Sequence, residues 1–220
     1  MAERRLGVLG GTFDPVHVGH LEAAQTGRLA LNLDEVLLVP SHRPPHRQGH
    51  TSASPFHRFA MTAMAANHTG WARASDLELQ RSGPSYTADT LAELHRQGWA
   101  PRQIFFMIGA DAFADIGAWH AYPEILDACH FAVIARPGTT LDVVLTRNPA
   151  LRDRVIPVTE AGQAFSTGVF LIEATTPDVS SSSIRAKLAA QESVAGLLPD
   201  TVAHHIERHH LYQTDDNLHG

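Results

Sequence analysis

The run Gly10-Gly11-Thr12-Phe13-Asp14-Pro15-Val16-His17-Val18-Gly19-His20 constrains this chain more than any other segment, because it must close one element and open the next within a few residues. Leu6-Gly7-Val8-Leu9 before it reads as a short buried strand. Gly10 and Gly11 then allow a turn and a close backbone approach to a ligand, and the helix that follows offers unpaired N–H groups to an anion. His17 and His20, three residues apart, share one helical face if the helix has begun by Val16. Strand, glycine turn, helix start and two imidazoles make a phosphate site in outline. A glycine pair alone is ordinary turn chemistry, and two His at this spacing could also be half of a metal site, a lesser reading because no Cys, Asp or Glu ligand joins them locally. Asp14 beside phosphates would repel them, and it reads as a helix cap.

The rest of the chain repeats the same alternation. Leu6–Leu9, Glu35–Val39, Trp71–Ala74, Ile104–Ile108, Phe131–Ala135 and Val169–Glu173 read as strands, with Arg154–Val158 as one more short candidate. Between them lie helical stretches at about Gly19–Leu31, Pro55–Asn67, Ala88–Gln97 and Pro123–Ala128, and Ser181–Ala190 and Pro199–Arg208 read as C-terminal helices. Strands alternating with helices favour an α/β fold, a Rossmann-like doubly wound parallel sheet with helices on both faces. At 220 residues, one domain spanning 1–220 is expected, ending in a small helical portion over about 178–212. In such a sheet ligands sit beyond the carboxyl ends of the strands, where Pro40-Ser41-His42, Gly109-Ala110-Asp111 and Arg136-Pro137-Gly138 join the glycine run. Ser41–Ser54, rich in His, Pro, Arg and Ser, reads as a mobile loop.

Charge and cysteine content narrow the partners. A formal charge of −6 gives no general attraction to nucleic acid or anionic membrane, so an anionic ligand must be held by a local site. Cys129, the single cysteine, excludes an intrachain disulfide and reads as a small buried hydrophobe. No signal-peptide core and no membrane-spanning stretch is evident, so a cytoplasmic location is expected. Of the 15 histidines, the pairs His204-His205 and His209-His210 fall on a helix read as exposed; zinc there is a lesser reading, and no metal site made of protein side chains is expected. Oligomeric state, monomer or homo-oligomer, is left open.

A second anion site stands near the other end. Val179-Ser180-Ser181-Ser182-Ser183-Ile184-Arg185 places four serines and a guanidinium at a helix start. One serine would suffice as a cap. The surplus of donors suits a triphosphate.

The glycine-rich, His-x-Gly-His string resembles the signature of the adenylyl- and cytidylyltransferase superfamily. Combined with Ser180–Arg185 it is similar to the nicotinate or nicotinamide mononucleotide adenylyltransferases, and most to their bacterial nicotinate-preferring branch. Arg81-Ser82-Gly83-Pro84-Ser85-Tyr86-Thr87-Ala88-Asp89-Thr90-Leu91, Phe106–Asp111 with Trp119 following, and Leu197–Tyr212 resemble further segments of that branch in the same order. The resemblance implies that ATP is bound by Gly10, Gly11, Thr12, Phe13, His17, His20, Gly109, Asp111, Ser181, Ser182 and Arg185, with His17, His20 and Arg185 catalytic. It implies a mononucleotide site of Tyr86, Thr87, Trp119, His46, Arg47 and Arg136, and Mg²⁺ arriving with ATP. Thr87 also reads as the N-cap of the helix at Ala88, and Trp119 as a core residue. Arg47 stands where the family usually has lysine; a guanidinium binds phosphate as a fork and an ammonium as a point charge.

The implied reaction moves the adenylyl group of ATP onto nicotinate mononucleotide, giving nicotinate adenine dinucleotide and pyrophosphate, a step of NAD biosynthesis. The attacking phosphate is already an anion near neutral pH, so alignment and charge stabilisation replace a general base. Other readings are a nicotinamide mononucleotide enzyme, a phosphopantetheine or polyol-phosphate transferase, and a nucleotide-sensing module without catalysis. The transferases acting on other phosphates have no reason to carry Gly83–Thr87.

Overall fold

Runs of apolar residues buried on both sides pair into one parallel sheet in the computed structural model, which describes residues 3–44, 52–135, 141–175 and 177–213. The elements run β1 (Leu6–Gly11), α1 (Val18–Leu31), β2 (Glu35–Pro40), α2 (Pro55–Asn67), β3 (Ala72–Ala74), α3 (Thr87–Arg96), β4 (Ile104–Gly109), α4 (Ala110–Phe113), α5 (Ile125–Ala128), β5 (His130–Ala135), α6 (Leu141–Arg147), β6 (Val169–Glu173), α7 (Ser181–Ala189) and α8 (Asp200–Arg208). The six strands take the order β3-β2-β1-β4-β5-β6, and every adjacent pair is parallel. This is the expected Rossmann-like sheet, with its strand order reversing between β1 and β4.

Alternation divides the core in two. Val36 and Leu38, Phe105 and Met107, Ala132 and Ile134 face one cluster, which Ile184 of α7 and Val202 and Ile206 of α8 share with Ala24 of α1 and Met61 of α2. Leu37 and Val39, Phe106 and Ile108, Phe131 and Val133 face the other, with Leu91 and Leu94 of α3, Phe113 of α4 and Ile125 of α5. Successive side chains on opposite faces, both covered by helices, explain why the strands read as continuous apolar runs. Gly27 sets how closely α1 lies on the sheet, since a Cβ there would meet Met107 Cε at 3.0 Å.

Several boundaries differ from expectation. β1 continues through Gly10 and Gly11 instead of ending at Leu9 in a glycine turn, and pairs with β2 as far as Gly11–Pro40. The glycine at 11 serves packing: a Cβ would stand 2.9 Å from Phe13 Cε1. The turn falls on residues 12–17. Arg154–Val158 is not a strand, because Pro149–Arg154 winds as a 3₁₀ helix and only Val155 bridges to Val169. The expected Pro123–Ala128 helix starts at Ile125, and Trp71 lies just before β3. Cys129 is buried, as expected, and burial pushes its thiol well above the usual range.

His130 makes the core sensitive to acid. Its ring stacks on Phe105 at 4.6 Å, its Nδ1 accepts the Gly168 N–H at 3.1 Å, and burial pulls its pKa down to about 4. The unfolded chain takes up a proton near pH 6.5 that the folded core refuses, so stability is full above that pH and falls as pH drops towards 4. The loss over this window is expected to reach about 3 kcal/mol. Denaturant unfolding at pH 7.5 and pH 4.5 measures it, and His130→Phe should flatten the profile. An equally steep profile in that variant would place the acid sensitivity elsewhere.

Candidate functional site

Where the strand order reverses, a cleft of about 680 Å³ opens beyond the ends of β1 and β4. That volume lies within the roughly 300–1,000 Å³ of small-molecule sites. Its walls are Gly10, Gly11 and Thr12; His17, Gly19 and His20 at the start of α1; Ser41 and Pro44 beyond β2; Glu78, Ser85, Tyr86 and Thr87 around the start of α3; Gly109, Trp119 and His120; and Ser180, Ser181 and Ser182 at the start of α7. The two distant anion motifs therefore share one cavity.

The loop between β1 and α1 is shaped by donors from far along the chain. Arg58, 0% exposed on α2, donates from Nη1 to the Thr12 carbonyl at 2.7 Å, from Nε to that of Ala53 at 3.3 Å and from Nη2 to that of His42 at 3.3 Å. Arg185 Nη1 donates to the Asp14 carbonyl at 2.7 Å, and Ser181 Oγ to the Pro15 carbonyl at 2.9 Å. Asp14 does not cap α1. Its carboxylate, 1% exposed, accepts the Ser52 and Ala53 N–H groups at 2.8 and 3.0 Å and the Tyr212 hydroxyl at 2.8 Å. Burial and the Asp14 charge push the Tyr212 phenol upward, so it stays protonated as the donor. Held there, Asp14 lies outside the cleft lining, with its carboxylate taken up by these three donors.

His17 and His20 do not both sit on a helical face. His17 is the N-cap of α1, with extended backbone, and its ring stacks on His20 with centroids 3.7 Å apart. The His17 N–H donates to His20 Nδ1 at 3.2 Å. A nitrogen that accepts carries no hydrogen, so this bond fixes the neutral tautomer of His20 with its proton on Nε2. His20 thereby becomes a hydrogen-bond donor on the cavity wall. Phe13 stands edge-on to the same ring at 5.0 Å and is buried beneath the loop.

The serines divide the work at α7. Ser180 is the N-cap, its Oγ accepting the Ser183 N–H at 3.1 Å while Ser183 Oγ accepts the Ser180 N–H at 3.2 Å, a capping box. Ser181 spends its hydroxyl hydrogen on Pro15, so its contribution to a ligand would come from the backbone at the helix start. Ser182 shares a 3.1 Å hydroxyl contact with Ser180 and lines the cavity.

Opposite these groups the wall turns aromatic. Trp119 lies edge-on to Phe106 at 6.3 Å, and Tyr86 lies over His120 at 4.5 Å. Tyr86, and not Thr87, is the N-cap of α3; Thr87 is its first helical residue, so its hydroxyl is not the cap. Ser85 Oγ accepts the N–H groups of His42 and Arg43 at 2.9 and 3.3 Å, tying the end of β2 to this wall. Glu78 accepts from Thr90 Oγ1 at 2.7 Å, and Thr90 in turn accepts from Arg81 at 2.7 Å. Burial pushes the Glu78 carboxyl up, against the Thr90 and Ser85 hydroxyls and the Arg81 charge, which favour its anion.

Of the sequence-expected residues, Gly10, Gly11, Thr12, His17, His20, Tyr86, Thr87, Gly109, Trp119, Ser181 and Ser182 meet in the cleft. Phe13 lies under it, Arg185 reaches its loop, and Asp111 is exposed on α4 outside its lining. His46, Arg47 and Arg136 lie outside the described residues. Sequence reasoning missed Glu78, Arg58 and the Asp14–Tyr212 bond. Nothing in the polar stretch around Glu78 signals its burial, and Arg58 looks like any helix-surface cation until α2 is docked.

Comparison with known proteins gives the family and the fold. Residues 8–187 match the family model described as cytidylyltransferase-like. Probable nicotinate-nucleotide adenylyltransferases from Roseiflexus sp. (strain RS-1) and Pseudomonas syringae pv. tomato are 38% and 39% identical, covering 97% and 96% of this chain and 100% and 94% of theirs. Among solved structures, nicotinic acid mononucleotide adenylyltransferase of Plasmodium falciparum complexed with NaAD aligns with a TM-score of 0.69 at 20% identity, covering 96% of this chain and 98% of that one.

Proposed function

The chain belongs to the cytidylyltransferase-like family, and from that premise we propose that it transfers the adenylyl group of ATP to nicotinate mononucleotide, releasing pyrophosphate. The observation that carries this reading is a single cleft in which the donor imidazole of His20 and the serine-rich start of α7 face the aromatic wall of Tyr86 and Trp119. Three phosphates and a pyridine ring need those two kinds of surface side by side.

An oxygen of the mononucleotide phosphate attacks the α-phosphorus of ATP, a new P–O bond forms, and the bond from that phosphorus to the bridging β-oxygen breaks. The attacking group is an anion, so no side chain has to remove a proton. His20 Nε2–H donates to the oxygens where negative charge concentrates, and His17 holds the ring of His20 in place by stacking and through its N–H. The start of α7 receives the β- and γ-phosphates through backbone N–H groups and Ser182, with Arg185 securing the loop they lie against. Mg²⁺ arrives as part of the ATP substrate. The described lining offers one carboxylate, Glu78, whose Oε1 is taken by Thr90, so phosphate oxygens and water would supply most ligands of that ion. Trp119 stacks on the pyridine ring, and the nicotinate carboxylate takes N–H groups at the start of α3.

Pyrophosphate release from ATP with nicotinate mononucleotide, nicotinamide mononucleotide or phosphopantetheine tests the assignment. Turnover with the nicotinate substrate should exceed the others by at least about tenfold, a difference of about 1.4 kcal/mol. No turnover with any of them would leave the sensing module as the better account. Trp119→Ala should raise KM for the mononucleotide by about tenfold or more and leave KM for ATP within about twofold. Equal changes in both would move the pyridine site off this wall.

A further inference from the structure

A second group of side chains lies away from the cleft, where the first turn of α2 meets α8. His57 is anchored there by its N–H bond to Ser54 Oγ at 3.3 Å, while His205 and His209 follow one another by a helical turn at the end of α8. His57 Nδ1 and His205 Nε2 are 3.1 Å apart, and one ligand nitrogen from each of the three rings falls within 4.8 Å of the others. The ring centroids of His57 and His209 stand 4.9 Å apart and those of His205 and His209 4.5 Å.

We propose that His57, His205 and His209 form a binding site for one divalent transition-metal ion, zinc by preference, with its fourth position open to water. Nitrogens each about 2.0–2.1 Å from a tetrahedral zinc lie about 3.3–3.4 Å from one another, so the observed spacing is reached by small side-chain rotations. Three imidazoles without a carboxylate or thiolate suit zinc, nickel or copper and are a poor set for Mg²⁺ or Ca²⁺. His205 is 9% exposed, contrary to its expected place on an exposed helix face, and the docking of α8 on α2 supplies the third ligand that His pairs along one helix lack.

The site joins the two segments that hold Asp14. Ala53, whose N–H binds the Asp14 carboxylate, lies four residues before His57, and Tyr212, whose hydroxyl binds it, lies three residues after His209. A bound ion would staple these segments together from outside the catalytic cleft.

Zinc titrated into chelator-treated protein, read by competition with a chromophoric chelator and by metal content after dialysis, tests this. One zinc per chain and a raised Tm are expected, with affinity falling at least tenfold in both His57→Ala and His209→Ala and staying within twofold in His204→Ala. Cobalt should give tetrahedral visible absorption in the parent and lose it in His209→Ala, an exposed position where folding is not at stake. No stoichiometric binding, or binding in His57→Ala and His209→Ala equal to the parent, would overturn the site. Turnover without zinc is expected to be unchanged in His209→Ala, which separates this proposal from the adenylyl-transfer reading.

Discussion

Alanine in place of His20 is expected to lower kcat by about a hundredfold or more, in line with removal of one preorganised oxyanion donor. The ring is held by three contacts from two neighbours, the His17 N–H bond to Nδ1, the stack on His17 and the edge contact with Phe13. It therefore needs no reorganisation as charge shifts towards the leaving pyrophosphate. The interaction strengthens in the transition state, so kcat should fall far more than affinity for ATP. The His17 N–H loses its acceptor in this variant, at a cost of about 1 kcal/mol, and the fold should survive. Steady-state pyrophosphate release alongside a thermal melt measures both effects. A kcat within a few-fold of the parent, in protein that still folds, would remove His20 from the chemistry.

The largest effect on stability is expected from Arg58→Ala, at about 3–5 kcal/mol. Arg58 is 0% exposed, and its guanidinium satisfies the carbonyls of Thr12, His42 and Ala53 at once. Truncation leaves these acceptors facing a cavity, and each buried acceptor without a donor costs about 1–3 kcal/mol unless water enters. Thr12 lines the cleft, so ATP affinity should fall with stability. Denaturant unfolding reads the first effect and equilibrium ATP binding the second. A loss below about 1 kcal/mol would mean that the loop is held mainly by Arg185, Ser181 and the Asp14 carboxylate.

The sheet was legible because its strands are short, apolar and punctuated by glycine and proline, and because parallel strands joined by helices leave few alternative topologies. The failures were local. Arg154–Val158 has strand composition, but after the 3₁₀ turn of Pro149–Arg154 only Val155 pairs with β6. Gly10 and Gly11 read as a turn from their freedom, whereas both pair within β1, and Phe13 explains Gly11 by packing: a Cβ there would stand 2.9 Å from its ring. The site divided in the same way. His17, His20 and the serines announced donors at helix starts. Their division into caps, loop anchors and cavity donors depends on which carbonyl lies within 3 Å or so, and that is set by distant segments.

By itself the sequence determined the parallel doubly wound sheet, the strand end that carries the phosphate motif and the chemistry of the donors there, because periodicity and motif spacing are local properties. Only the tertiary structure decided that Asp14 is clamped by Ala53 and Tyr212, that Arg58 supports Thr12, and that His57 meets His205 and His209. Each of these joins residues 39 or more apart, and burial, tautomer and hydrogen-bond partner are fixed only when such segments pack together.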